Sequence, residues 1–352
     1  MRNILLAVFV ALYALGVNAQ TEIEPFVPGV TTDGVRYFLP RTAFRVVIIV
    51  EKTVTIPGNL NKYAYKYLHL QNVPTQTTTE YRIKSIELQP YGVPDKTKAY
   101  NIKLKNRTVA PMLSLTRDGV LMGVNTEVSE DVLPPLPEAV PAPALLDARK
   151  YMNQEMLMAS STAKLAELVA EEIYDIRSSR NDLVRGEADN TPKDGEQLQL
   201  MLRNLDDQDA ALSAMFSGQV SKSTEVFHMQ LNPNSPVDKM ILCRFSKPFG
   251  LVGSDDLSGE PVYVSIKRTD SMPDSAAVAT NQDKKRQQGI FCNVPVPATF
   301  TVFDASQQYT STTIPVAQFG TTDILGASYF DKNATTAVVF HQSTGGVKEI
   351  RK

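Results

Sequence analysis

Five of the ten positions from 134 to 143 are proline: Pro134, Pro135, Pro137, Pro141 and Pro143. Proline lacks an amide donor, fixes φ and pushes its predecessor out of the helical region, so neither a helix nor a central strand can run through such a stretch. An extended, polyproline-like linker is expected over residues 133–146. The hydrophobic period changes across it. Upstream the pattern is that of strands, from 147 to about 218 it is helical, and beyond that strands return. The expected fold is therefore α+β and mainly β. It comprises an N-terminal β-rich domain (20–132) with one helix, an antiparallel helical hairpin (147–218) and a C-terminal β-sandwich-like domain (219–352).

In the first block, Val46-Val47-Ile48-Ile49-Val50 is a continuous apolar run, the pattern of a strand buried on both faces. Tyr81–Leu88 and Tyr100–Lys105 alternate instead, as half-buried strands do. Asp118-Gly119 between Leu113–Leu115 and Val120–Val124 marks a short hairpin. Leu60, Ala64, Tyr67 and Leu68 share one face of a helix that Asn59 can cap.

In the second block, Leu165, Val169, Ile173, Ile176 and Leu183 form one stripe, ended by Gly186. A second helix restarts at Asp194, with Gln197 as capping-box partner, and runs to Gly218. Its stripe is Leu198, Leu202, Leu205, Leu212 and Phe216, interrupted by Asp209, which should weaken the seam. Short strands are expected at Val226–Leu231, Met240–Phe245, Val262–Lys267, Ile290–Val294, Thr299–Phe303, Thr313–Val316, Ala337–His341 and Val347–Ile350. Residues 269–288 read as a solvated loop.

Arg2, the 14-residue apolar run Ile4–Val17 and the small positions ending at Ala19 read as a cleavable export signal over residues 1–19. The run is shorter than the ~20 residues that a membrane-spanning helix needs. No cysteine lies near the cleavage site, so a lipoprotein is not expected. The location expected is the periplasm or the cell exterior. A net charge of −2 argues against a general nucleic-acid binder. The acids are concentrated in residues 147–216, with 14 acids against 8 bases. Cys243 and Cys292 could pair in an oxidising compartment, but each lies in an apolar run where cysteine also serves as a small hydrophobe. Free, packed thiols are the expectation.

No catalytic, cofactor-binding or metal-binding residue can be assigned. The chain lacks the nucleophile-elbow, zinc-protease, phosphate-loop, dinucleotide and C-x-x-C patterns. His69, His228 and His341 are far apart in sequence and read as separate imidazoles rather than zinc ligands. Tyr63, Tyr65 and Tyr67 cannot share one helical face as a sugar platform. Asp255, Asp256 and Glu260 lack calcium-loop spacing and read as a turn. Lys284-Lys285-Arg286 is too short for a nucleic-acid patch, and Asp206 and Asp207 read as the solvated side of a helix.

Val35–Pro40, Asn61–Leu68, Ala170–Gly186 continuing to Gly195, and Phe340-His341-Gln342-Ser343-Thr344-Gly345-Gly346 together resemble an exported Bacteroidetes family of unknown function. The resemblance implies a bacterial periplasmic or surface setting and carries no activity or site residues. The function expected is a non-enzymatic interaction or structural module of the envelope, with a protein or glycan partner. Its acidic hairpin is the expected contact element, helped by the adaptable Met152, Met156 and Met158. The alternative is an envelope-polymer or glycan hydrolase that uses a carboxylate pair without a sequence signature.

Overall fold

The computed structural model describes residues 22–25, 34–103, 112–189, 194–269, 289–326 and 336–351. The expected export signal and the basic triplet 284–286 lie outside these residues. Thirteen strands are described. They are β1 (Glu22–Pro25), β2 (Val35–Ile56), β3 (Thr78–Lys103), β4 (Leu113–Leu115), β5 (Leu121–Val124), β6 (Gln219–Leu231), β7 (Val237–Ser246), β8 (Gly250–Val252), β9 (Glu260–Arg268), β10 (Gly289–Phe303), β11 (Gln308–Gly326), β12 (Ala337–Phe340) and β13 (Val347–Arg351). Four α-helical segments join them: α1 (Ala64–Leu68), α2 (Gln154–Leu157), α3 (Thr162–Arg185) and α4 (Gly195–Ser217).

The strands form three sheets, ordered β1-β3-β2-β6, β11-β10-β9-β7-β8 and β13-β12-β5-β4. The first two pack face to face. Phe44, Val46, Ile48 and Val50 of β2 meet Val262, Val264 and Ile266 of β9 and Ala298, Phe300 and Val302 of β10. The rings of Phe44 and Phe300 lie 4.5 Å apart at the centre of this core. A second core, built from Tyr37, Leu39, Ile102, Leu121, Val338 and Phe340, ties the small third sheet to one end of the sandwich.

These sheets correct the expected separation into an N-terminal and a C-terminal β region. β6 follows the hairpin in sequence, yet it pairs along β2 from Phe44↔Leu231 to Ile56↔Gln219. Near the C-terminus, β12 pairs with β5 through Val338↔Val124. Apolar alternation reports that a strand is half buried but not which strand lies beside it, and here the partners lie more than 150 residues apart.

The proline-rich segment carries no regular structure and is laid along the sandwich. Thr224 N donates to Val140 O (2.9 Å) and Thr224 Oγ1 accepts from Val140 N (2.9 Å). Gln219 makes the same reciprocal pair with the backbone of Leu146. Gln342 grips the upstream end through Ser129 O and Asp131 N, and Arg45 donates to Pro134 O. β6 is an edge strand, and a proline strap covers such an edge without offering a new row of amide donors.

Two strands run through prolines that punctuate the sequence as turns. β3 continues across Pro90 and Pro94, whereas separate strands at 81–88 and 100–105 were expected. Its neighbour β1 reaches only Tyr100–Lys103, so among the described residues no strand pairs with that edge of β3 beside the prolines. The register shifts between Phe38↔Ala99 and Pro40↔Pro94, and Asp95 Oδ1 ties the resulting bulge by accepting from Thr97 N (3.0 Å) and Thr97 Oγ1 (2.6 Å). β10 likewise joins the expected strands 290–294 and 299–303 through a register shift between Val294 and Val296.

Candidate functional site

The helical hairpin is seated on the tip of the long β2–β3 hairpin. Ser161 caps α3 by accepting from Lys164 N, and Gly186 ends the helix at φ 74°, where a side chain would be strained. Asp194 caps α4 through Glu196 N (3.2 Å), and the helix ends at Gly218. The Asn59 cap proposed for the short helix is not formed; the chain enters α1 through a 3-10 turn at Asn61–Tyr63.

Where the hairpin meets the sheets, packing is dense. Val169, Ala170, Ile173 and Ile176 of α3 and Leu212, Met215 and Phe216 of α4 enclose Leu60 and Ala64 from the β2–β3 connection. Leu60 N donates to Met215 O (2.8 Å), and Tyr174 Oη donates to Tyr67 O (2.6 Å). A Cβ on Gly58 would lie 2.2 Å from Met215 O, so only glycine permits this approach.

Beyond that base the burial falls away. No residue of α4 before Ala211 is buried, and Leu183 alone is buried on α3 beyond Ile176. Leu198, Leu202 and Leu205, expected as seam residues, are each only partly buried. Val184 and Leu200 are 60% and 56% exposed. Two charge pairs hold this distal half together: Arg177 binds Asp209 through two 3.0 Å hydrogen bonds, and Arg180 Nε meets Asp206 at 2.6 Å. Asp209 therefore clamps the seam that it was expected to weaken. Its partner is 32 residues away, so the sequence of α4 alone gives no sign of it.

At the distal end the two helices and the segment after Gly186 line a groove of about 510 Å³. Leu183, Met201 and Leu205 form its apolar lining, and Asp182, Glu187 and Asp189 stand around it. Among the described residues none of these three carboxylates is ion-paired.

A second cleft, of about 520 Å³, runs beside the turn after β12 and is lined by Cys292, Asn293, Asp323, His341 and Ser343. A thiol, a carboxylate and an imidazole thus line one cavity. Burial, with Asp323 adding its negative charge, pushes the Cys292 thiol up to about 11, so the nucleophilic thiolate is scarce near neutral pH. The surrounding bonds hold the turn in place. Asn293 Nδ2 donates to Pro40 O (2.9 Å) and Thr344 O (2.8 Å), and Thr42 Oγ1 donates to Ser343 O (2.9 Å). Gly345, at φ 71°, fits against Pro40 where a Cβ would not. This turn belongs to the C-terminal stretch that carried part of the family resemblance.

The chain belongs to DUF4831, a family of domains of unknown function. The family's sequence model matches residues 33–348. No curated protein and no solved structure matches the chain.

Within this DUF4831 domain the remaining candidates are dispersed. His69 closes α1 in the left-handed region at φ 53°, His228 lies in β6 opposite Val47, and His341 joins the turn after β12. Among the described residues no three His, Cys, Asp or Glu side chains gather as a metal site would require. Tyr63 and Tyr67 pack against the hairpin core while Tyr65 is exposed. Asp256 accepts from Ser258 N (2.9 Å), and Arg244 ties the same loop through Ser254 O and Gly259 O. Asp255 and Asp256 thus sit in a turn. Cys243 and Cys292 are free and buried in different cores. Of the three methionines, Met156 is buried, Met152 packs half-buried on the hairpin core, and Met158 is 73% exposed.

Proposed function

We propose that this protein is an exported, non-enzymatic interaction module of the bacterial envelope, and that the distal half of the hairpin is its contact element. The observation that carries this reading is the leucine seam of Leu198, Leu202 and Leu205, only partly buried on helices whose apolar stripes are sealed at the other end. Apolar surface left open on an ordered element is a common mark of a partner site. The export signal read over residues 1–19 and the resemblance to exported Bacteroidetes proteins support a periplasmic or surface location. No helix among the described residues is long and apolar enough to cross a membrane.

The test is a shortened hairpin. Replacing residues 180–206 with a short Gly-Ser link keeps the packed base, including Ile176 and Leu212, and the Arg177–Asp209 pair next to it. The full-length protein, crosslinked in its native envelope, should give a discrete adduct that the shortened protein does not. An unchanged adduct from the shortened protein makes the hairpin a spacer and defeats the proposal.

A further inference from the structure

We propose that the distal groove between α3 and α4 receives an amphipathic helix of a partner protein, with aliphatic anchors on one face and Lys or Arg beside them. This rests on the reading of the hairpin as the contact element and names the chemistry that it would recognise.

Three features lead there. First, the apolar lining of Leu183, Met201 and Leu205 comes from both helices, and the groove of about 510 Å³ is of a size to seat side chains rather than a whole domain. Second, the α3 and α4 residues that line the groove lie inside the helices, where amides and carbonyls bond along the helix, so these two walls offer no ladder for a partner strand. A segment docking here must satisfy its own backbone, which a helix does. Aliphatic anchors at i, i+3 or i+4, and i+7 would then follow the groove, completing a three-helix arrangement. Third, Asp182, Glu187 and Asp189 border the groove, and among the described residues no Lys or Arg lines it. Anionic lipid or nucleic acid would be repelled, whereas cationic residues flanking the anchors would be selected and oriented. Met201 is 39% exposed, and its unbranched, polarisable side chain can adjust to anchors of different shape.

The experiment uses the full chain and three labelled peptides of equal length. One carries leucines at helical spacing with lysines on the flanks. The second has the same composition scrambled so that no apolar face forms, and the third keeps the leucine spacing but replaces Lys with Glu. Fluorescence anisotropy gives affinities, and methyl-labelled methionine spectra locate the binding. The patterned Lys peptide should bind at least about tenfold more tightly than either control, a difference that added salt reduces. The Met201 methyl signal should move while that of Met122 stays. Asp182→Asn, Glu187→Gln and Asp189→Asn combined should weaken binding about tenfold. Met201→Glu should abolish it at unchanged helicity, and the acid-neutralised variant keeps the test valid if Met201→Glu disturbs the fold. Equal binding of the three peptides, or full affinity in the acid-neutralised variant, overturns the proposal. If that result is accompanied by loss of the envelope adduct in the shortened protein, the groove assignment falls while the hairpin remains the contact element.

Discussion

The two halves of the helical hairpin have the same sequence grammar and different physical circumstances. Both carry apolar residues every three or four positions and acids on the remaining faces. In the proximal half that stripe is sealed, with Ile173 and Leu212 at 0% exposure against Leu60 and Ala64. In the distal half Leu198 and Leu202 are only partly buried, and Leu205 reaches just the margin of the base core. Two helices bury one face of each, and a full core needs a third surface. The β2–β3 tip supplies it at the base. At the far end the described residues supply none, and that contrast is the basis for placing a partner there.

The largest effect should separate the halves directly. Ile173→Ala removes a fully buried side chain and should cost ~2–5 kcal/mol. Leu202→Ala deletes a side chain already in partial contact with water and should cost roughly half as much or less, in line with the smaller area removed from solvent. Urea denaturation midpoints measure both. Equal losses would mean that the distal seam is as well sealed as the base, and the comparison would fail.

Next in size is the difference in local opening. Amides of α4 between 198 and 205 should exchange with deuterium through local fluctuations, while those of Ala211–Phe216 should need an opening close to global unfolding. Binding of the patterned lysine peptide should slow exchange in the distal set and leave the proximal set unchanged. Uniform protection along α4 would contradict the division of the hairpin into two halves.

Sequence reading reached some of this and missed the rest for identifiable reasons. Helix ends at Gly186, Asp194 and Gly218 were legible because caps are local chemistry. The turn at Asp118-Gly119 was legible too, since Gly119 adopts φ 82° between β4 and β5. The leucine stripe was visible, but a period records only the direction in which a face points. Whether anything lies against it is a tertiary fact, and Leu202 and Leu212 look alike in the sequence. Asp209 looked like a flaw for the same reason: its meaning lies in Arg177. The proline segment looked like a boundary because its composition rules out regular structure; its carbonyls and few amides can still be held by Thr224, Gln219 and Gln342. For the candidate site, net acidity pointed to the hairpin, whereas the groove among Leu183, Met201 and Leu205 requires two helices in register.

Smaller effects should come from the charge pairs that close the distal half. Arg177 grips Asp209 with two hydrogen bonds, and the Asp209 side chain is only 27% exposed. A double-mutant cycle with Arg177→Ala and Asp209→Ala should give a coupling of ~0.2–1 kcal/mol, toward the upper part of that range. Arg180 and Asp206 form a single contact between more exposed groups, so their coupling should be weaker and should fade first as salt is added. A stronger outer pair would mean that the hairpin tip is shielded from water and is not an open surface.

The smallest effect tests the solvent side of the proximal half. Glu171 is exposed on α3, two positions before the fully buried Ile173. Its side chain has no ion-pair partner among the described residues, although Lys164 nearby feels its charge. Replacing it with alanine exchanges one good helix former for another and removes no packing, so the denaturation midpoint should reflect a change within ~0.5 kcal/mol. The proposed partner sits at the distal groove, so Glu171→Ala should also leave affinity for the patterned peptide unchanged. A loss of affinity comparable to that of the acid-neutralised groove variant would move the contact surface from the open seam to the outer face of the packed base. The difference in burial between the two halves would then no longer mark the binding site.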